Sequence, residues 1–266
     1  MTASDNSKQT PGVAFVTGGR RGIGRAIAYS LADHGFDVVI NDIARDESAE
    51  ETLSGIRERG MKAAFVKGDI AQVDDHERLV SEAWDAFGPI GCLVNNAGVQ
   101  TAYRGDMLDI PVESFDRLIG VNLRGSFFLT QRLAKRMAGE PCGDPTHPKR
   151  SIIFVSTGNA VVATQGQADY CVSKSGIPMM STLYALRLAE YGIAVHEVRP
   201  GIIRTDMTAD VFDKYDNWVK SGGFALPRWG EAEDIGKTVG VLAAGLLPYS
   251  TGGAFHVDGG IHIRRT

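Results

Sequence analysis

Tyr170 and Lys174 are separated by three residues, and two hydroxyls, Ser156 and Thr157, precede them in the stretch "FVSTGNAVVATQGQADYCVSK". A phenol, an ammonium and a hydroxyl held together form a proton-handling set. Reduction of a ketone by hydride leaves an alkoxide that needs a proton, and the reverse reaction needs a base. A tyrosine serves both directions once its ordinary pKa of about 10 is brought nearer the operating pH. Residues i and i+4 share a helix face, so Lys174 is expected over the turn of Tyr170. An ammonium at ~4 Å in an effective dielectric of ~20 favours the phenolate by roughly 4 kcal/mol. On this reading Tyr170 titrates near the operating pH, and a neighbouring hydroxyl steadies charge on the substrate oxygen.

A second set suits a phosphate. "TGGRRGIG" follows the apolar run "VAFVT" and opens a segment whose Ile23, Ile27 and Leu31 share one helical face. Gly18, Gly22 and Gly24 allow a sharp turn, close approach to a pyrophosphate and packing of helix on sheet. The helix N-terminus then offers N–H groups and a positive dipole end. Asp42 ends "VVIND", 18 residues past Gly24. A carboxylate there accepts from both ribose hydroxyls and repels a 2′-phosphate, which favours NAD(H). Arg20 and Arg21 argue for NADP(H), and Arg45 stands near enough to compensate Asp42. NAD(H) is the expected cofactor and NADP(H) the alternative.

These residues need elements to position them. Short apolar runs, "VAFVT", "FDVVIN", "AAFV", "CLVNN", "SIIFVST", "AVHEV" and "GAFHVDGG", alternate with segments of helical period. The longest helices are expected at about 112–138 and 168–191. Alternation of this kind implies βαβ units and an α/β fold whose parallel sheet is covered on both faces. Residues 12–266 read as one domain behind a polar lead, 1–11. "GEPCGDPTHPKR", 139–150, reads as a surface loop.

Composition narrows the class. The chain has 266 residues, 23% of them charged, and a net charge of -4. Nothing in it favours a nucleic-acid or membrane surface, and no apolar stretch approaches the ~18 residues of a membrane span. Cys92, Cys142 and Cys171 have no metal spacing and fit a reducing, cytoplasmic setting. His196 reads as a satisfied core or edge residue. His256 and His262 lack ligand-like neighbours in sequence, so no metal is expected.

From about residue 12 to 262 the chain resembles the short-chain dehydrogenase/reductases. "TGGRRGIG" matches the family's glycine turn, "NNAG" at 95–98 its fourth-strand motif, and Asn122 in "GVNLRG" its helix asparagine. Tyr170 and Lys174 match its YxxxK pair, and "RPG" at 199–201, followed by "IIRTDM", its nicotinamide segment. Within the family the chain is similar to 3-oxoacyl-(acyl-carrier-protein) reductases. The resemblance implies a Rossmann-type three-layer sandwich with seven strands, reversible hydride transfer between nicotinamide and a secondary alcohol or ketone, and a homotetramer, with a dimer as the alternative. By the same matching, Asp42 and Ile43 meet the adenosine ribose and Asp69 and Ile70 line the adenine pocket. Asn96, Ala97 and Gly98 flank the cofactor ribose, which Lys174 also reaches. Pro200, Gly201, Ile203 and Thr205 follow the nicotinamide, with Thr205 at the carboxamide. Asn122 opens its helix and holds a water that links Lys174 to solvent.

The family's serine stands thirteen residues before its tyrosine; here that residue is Thr157, with Ser156 beside it. Adjacent side chains on a strand point to opposite faces, which favours Thr157 as the active hydroxyl and leaves Ser156 as the alternative. Residues 207–228 are expected to form a substrate lid, with Met207, Phe212, Tyr215, Trp218 and Phe224 walling the cleft and "SGGF" as hinge. The apolar long helices fit an oligomer interface. The substrate is a small or acyl-carrier-linked carbonyl or alcohol. A sugar dehydrogenase, a cofactor-binding regulator without turnover, and a different reaction on the same fold are the competing readings.

Overall fold

The computed structural model of the chain describes residues 12–141, 145–146, 149–205, 212–220 and 224–263, at 213–215 and 220 as backbone alone. The lead 1–11, Cys142, Met207, the Tyr215 side chain and Ser221 to Gly223 of the expected hinge lie outside these residues.

Seven strands, β1 (Val13–Thr17), β2 (Asp37–Asp42), β3 (Ala63–Lys67), β4 (Ile90–Asn95), β5 (Arg150–Val155), β6 (Ile193–Pro200) and β7 (Ala254–Val257), form one sheet in the order β3-β2-β1-β4-β5-β6-β7. Every pairing is parallel. The strands alternate between two cores. Phe15, Leu93, Ile152 and Phe154 face one, and Val16, Val94, Ile153 and Val155 face the other. Both faces are therefore dry, which is why these strands read as unbroken apolar runs.

The first core is covered by α3 (His76–Phe87), α5 (Ser126–Gly139) and α6 (Ala168–Leu188), and the second by α1 (Gly22–Asp33), α2 (Glu47–Glu58) and α8 (Ala232–Ala243). The helix expected at 112–138 runs as α4 (Val112–Leu118), a π-helical stretch (Ile119–Gly125) and α5. A Cβ on Gly125 would lie 2.4 Å from the Ile70 carbonyl, so the widened turn packs directly on backbone. α7 spans Phe212–Lys220.

The strand order reverses between β1 and β4. Ligands of such sheets bind outside the carboxyl ends of the strands at that reversal. The glycine turn leaves β1 there, and "NNAG" leaves β4.

Candidate functional site

The turn after β1 is fixed by backbone geometry. Gly18 has φ +64°, and a Cβ on it would lie 2.8 Å from Ala97 Cα. A Cβ on Gly24 would lie 1.9 Å from the Gly18 carbonyl oxygen. Only glycine fits either place. Thr17 Oγ1 accepts from the backbone N–H groups of Asn96 and Ala97, both at 3.1 Å. Asn96 Nδ2 donates to the carbonyls of Thr17 and Gly18, each at 3.0 Å. Asn96 thus ties β4 to the glycine turn, and its amide is spent on that brace. Gly22 (φ +55°) and Ile23 open α1, which has no acidic residue in its first turn. Thr205 stands beside this turn, its methyl 3.8 Å from where a Gly22 Cβ would be. Bare backbone and a free helix end form a cradle that fits a pyrophosphate.

At the end of β2, Asp42 Oδ1 accepts from Ile43 N at 2.8 Å. Arg20 Nε lies 3.6 Å from the same oxygen, and its Nη1 engages Asp46. Arg45 does not compensate Asp42 as expected; it pairs with Glu50 at 2.7 Å. Asp46 and Glu50 stand at the start of α2 and draw both guanidiniums there. Asp69 Oδ1 accepts from Ala71 N at 2.9 Å, and the buried Ile70 receives His76 Nε2 on its carbonyl at 2.7 Å. These bonds shape the rim where an adenine would rest.

Tyr170 and Lys174 lie on one face of α6, with Lys174 Nζ 6.0 Å from the phenol ring centroid. A Cβ on Gly98 would be 3.2 Å from both Lys174 Nζ and Asn122 Oδ1, so "NNAG", the π-helical stretch and α6 meet there. Asn122 Oδ1 accepts from Val99 N at 2.8 Å. Its Nδ2 donates to the Val99 carbonyl and to Ser173 Oγ, each at 3.0 Å. The carboxamide is fully used in joining three segments.

The expectation that Lys174 draws Tyr170 towards neutral pH is corrected. Desolvation pushes the Tyr170 phenol up to about 12, with a hydrogen bond from Thr157 acting in the opposite sense. Burial alone lowers Lys174 to about 8. Its ammonium donates to the Val155 carbonyl at 3.5 Å. Dehydration is the largest cause at Tyr170 and the sole cause at Lys174.

The two hydroxyls part as alternation predicts. Thr157 faces Tyr170. Ser156 Oγ donates into the sheet, to the Glu197 carboxylate and the Val198 carbonyl. Glu197 is buried and bound by Arg199 through two contacts of 2.8 Å.

Sequence reasoning missed Asp169. This buried carboxylate accepts from Ser114 Oγ at 2.7 Å, Thr101 Oγ1 at 3.0 Å and Tyr170 N at 2.8 Å. It locks the start of α6 under the tyrosine. Asn159 and Gln167 flank the same helix start: Asn159 Nδ2 reaches Thr164 Oγ1 at 3.1 Å, and the Gln167 amide oxygen pairs with Arg104. Cys171 Sγ lies 3.6 Å from Asn159 Nδ2, half-exposed, beside this polar group.

The segment after β6 is pinned by Gly201 N donating to Val257 O at 3.0 Å and by a bridge between Ile203 and Gly230. Pro200 and Ile203 are buried. The expected lid is aromatic where described: Phe212 stacks edge-on to Trp229 and Trp218 tilts against Phe224, both at 5.1 Å. His196 is core, yet its Nδ1 has no hydrogen-bond partner, so it is not the satisfied histidine expected. His256 and His262 do have a ligand-like neighbour: their Nδ1 atoms lie 3.6 and 2.7 Å from Asp258 Oδ2.

A family described as Enoyl-(Acyl carrier protein) reductase matches residues 18–262. The chain is 34% identical over 250 residues to an L-rhamnose 1-dehydrogenase (NAD(P)(+)) of Sphingomonas sp., covering 94% of this chain and 95% of that one. It is 33% identical over 251 residues to a 3-oxoacyl-(acyl-carrier-protein) reductase of Staphylococcus aureus, covering 94% and 98%. The crystal structure of a 3-oxoacyl-(acyl-carrier protein) reductase from Brucella melitensis in complex with NAD superposes with a TM-score of 0.91 at 46% identity, covering 98% and 100%. Among the described residues no helix is long and apolar enough to cross a membrane. With this sheet, this glycine turn and these matches, the chain belongs to the short-chain dehydrogenase/reductase family of NAD(P)-dependent oxidoreductases.

Proposed function

We propose that the protein transfers hydride between NAD(H) and a secondary alcohol or ketone, with Tyr170 as the proton donor and acceptor. The observation that carries this reading is the contact of Thr157 with Tyr170. It leaves a phenol and a hydroxyl side by side, with Lys174 6.0 Å from the phenol ring and its Nζ close to Gly98.

When bound, the nicotinamide supplies or takes up the hydride. Gly18, Gly22, Ile23 and Gly24 would hold the pyrophosphate, Asp42, Ile43, Asp69 and Ile70 the adenosine end, and Ala97, Gly98, Pro200, Gly201, Ile203 and Thr205 the nicotinamide half. Asn96 acts by bracing the turn. A phenol held near 12 keeps its proton at neutral pH, the form required to protonate an alkoxide. Thr157 donates to the substrate oxygen. Lys174, close to its titration point, passes charge and proton between ribose and solvent, and Asn122 fixes the strand end and helix that hold it.

NAD(H) is favoured because Asp42 faces the ribose site while Arg20 and Arg45 are occupied by carboxylates. A 2′-phosphate would have to break those pairs. For the substrate we favour a 3-oxoacyl thioester, on the 46% identity to the Brucella melitensis reductase. A sugar or polyol is the second reading, favoured by the polar group Arg104, Gln167 and Asn159 at the start of α6 and by the L-rhamnose dehydrogenase relative. A homotetramer built on α5 and α6 is supported by a groove of about 600 Å³ lined by Phe127, Leu183, Tyr184 and Leu188. Assays of acetoacetyl-CoA with NADH and of L-rhamnose with NAD⁺ separate the two substrates. Turnover of neither, with tight NADH binding, would favour a regulator.

A further inference from the structure

The end of β7 carries a group of side chains with no part in the chemistry at Tyr170. Among the described residues, His256, Asp258 and His262 are the one set of histidine, cysteine or carboxylate ligand atoms that converge, all within 4.8 Å of one another. Asp258 Oδ2 lies 2.7 Å from His262 Nδ1 and 3.6 Å from His256 Nδ1. The two imidazoles stack with centroids 3.9 Å apart and planes 25° from parallel.

Three features of this group point beyond packing. The Asp258 side chain is almost wholly buried, at 2% exposure, and a buried carboxylate needs compensation. Among the described residues no arginine or lysine pairs with it; Arg199, nearby, is held by Glu197. Its other oxygen accepts from Gly260 N at 2.8 Å, which fixes the carboxylate's orientation. His256 Nδ1 is buried and has no hydrogen-bond partner, although it faces that carboxylate.

We propose that His256, Asp258 and His262 form a binding site for a divalent metal ion of the imidazole-preferring class, with Zn²⁺ as its type. Metal–ligand bonds of about 2.0–2.2 Å place tetrahedral ligand atoms roughly 3.3 Å apart. The 3.6 Å contact is near that value, the 2.7 Å contact opens slightly, and the two imidazoles stand within 4.8 Å of each other's ligand atoms. His262 would exchange its Nδ1 proton for the metal and keep a proton on Nε2. Three protein ligands leave a fourth position for water or another donor.

The site has a mechanical consequence. Asp258 backs onto Gly201, where a Cβ would lie 2.6 Å from Asp258 Cα. The following turn carries the return limb of the expected lid, with Leu226 N donating to Gly259 O at 3.0 Å. Metal binding fastens this turn, and Leu226 bonded to it, to β7.

The test uses the untagged full chain, stripped with a chelator and dialysed against Zn²⁺, with bound metal counted by elemental analysis and Co²⁺ absorption as a second readout. His262→Gln keeps a hydrogen-bond donor to Asp258 but removes the ring nitrogen, and His262 is exposed, so this variant folds. His34→Ala is the control. The expected result is one Zn²⁺ per chain, a ligand-field Co²⁺ spectrum and a raised Tm, with binding at least tenfold weaker in His262→Gln and unchanged in His34→Ala. Absence of saturable binding, or equal binding by His262→Gln and the wild type, would overturn the proposal.

Discussion

Lys174 Nζ lies 6.0 Å from the Tyr170 ring centroid and donates to the Val155 carbonyl, not to the phenol. Both groups are therefore held in their neutral-favouring states, Tyr170 near 12 and Lys174 near 8. Lys174 carries its charge below that value and loses it above. Accordingly, kcat/KM for ketone reduction is level on the acid side of pH 8 and declines above it. Tyr170 stays protonated throughout and gives no break there. A pH profile that runs flat through pH 8 contradicts this assignment.

Thr157 and Ser156 are neighbours with different partners, Tyr170 and Glu197. Thr157→Ala removes the hydroxyl facing Tyr170 and is expected to lower kcat by roughly 10²–10³-fold with little change in stability. Ser156→Ala leaves the buried Glu197 carboxylate short of a donor and costs about 1–3 kcal/mol of stability, with kcat nearly intact. Kinetics and denaturant unfolding of the two variants check the division. The reverse pattern would assign catalysis to Ser156.

Asp42 holds Arg20 Nε at 3.6 Å. Asp42→Ala removes the repulsion and one of the two carboxylates that hold Arg20, so NADPH affinity rises at least tenfold, about 1.4 kcal/mol. Arg20→Ala in the Asp42→Ala background cancels the gain. Fluorescence titration with NADH and NADPH measures both. An unchanged preference in Asp42→Ala means the selector lies elsewhere.

His196 is buried against Phe255, and burial lowers it to about 4 from the ordinary imidazole value of 6.5. The folded state resists protonation that the unfolded chain accepts. The stability from this group is present above 6.5 and is lost as pH falls towards 4. The full difference is about 3 kcal/mol. Chemical denaturation across that range shows a weaker acid dependence in His196→Phe. An acid limb identical to wild type would mean another group carries it.

The site's motifs were legible because each is local in sequence. The glycine turn, "NNAG" and the Tyr170–Lys174 spacing are read within a few residues, and the apolar runs announce a sheet buried on both faces. The choice of Thr157 over Ser156 followed from strand alternation. What could not be read depends on distant partners. Asp169 meets Thr101 and Ser114 across 68 and 55 residues. Arg20 reaches Asp42 across a turn, whereas Arg45, nearer in sequence, is taken by Glu50. The π-helical stretch around Asn122 arises from contact with Ile70 and Val99, which no helical period records. Desolvation of Tyr170 is likewise a property of the packed site: it raises the phenol, which the Lys174 spacing alone would lower.

The central claim is hydride transfer with Tyr170 handling the proton, and one comparison tests it directly. NADH consumption is followed on a panel of 3-oxoacyl thioesters, simple ketones and sugar-derived ketones, for wild type and Tyr170→Phe, alongside NADH binding. The account predicts turnover of at least one substrate by the wild type and a loss of roughly 10²–10⁴-fold in Tyr170→Phe, with NADH affinity unchanged. Equal turnover by Tyr170→Phe, or NADH binding by the wild type with no turnover across the panel, would contradict it.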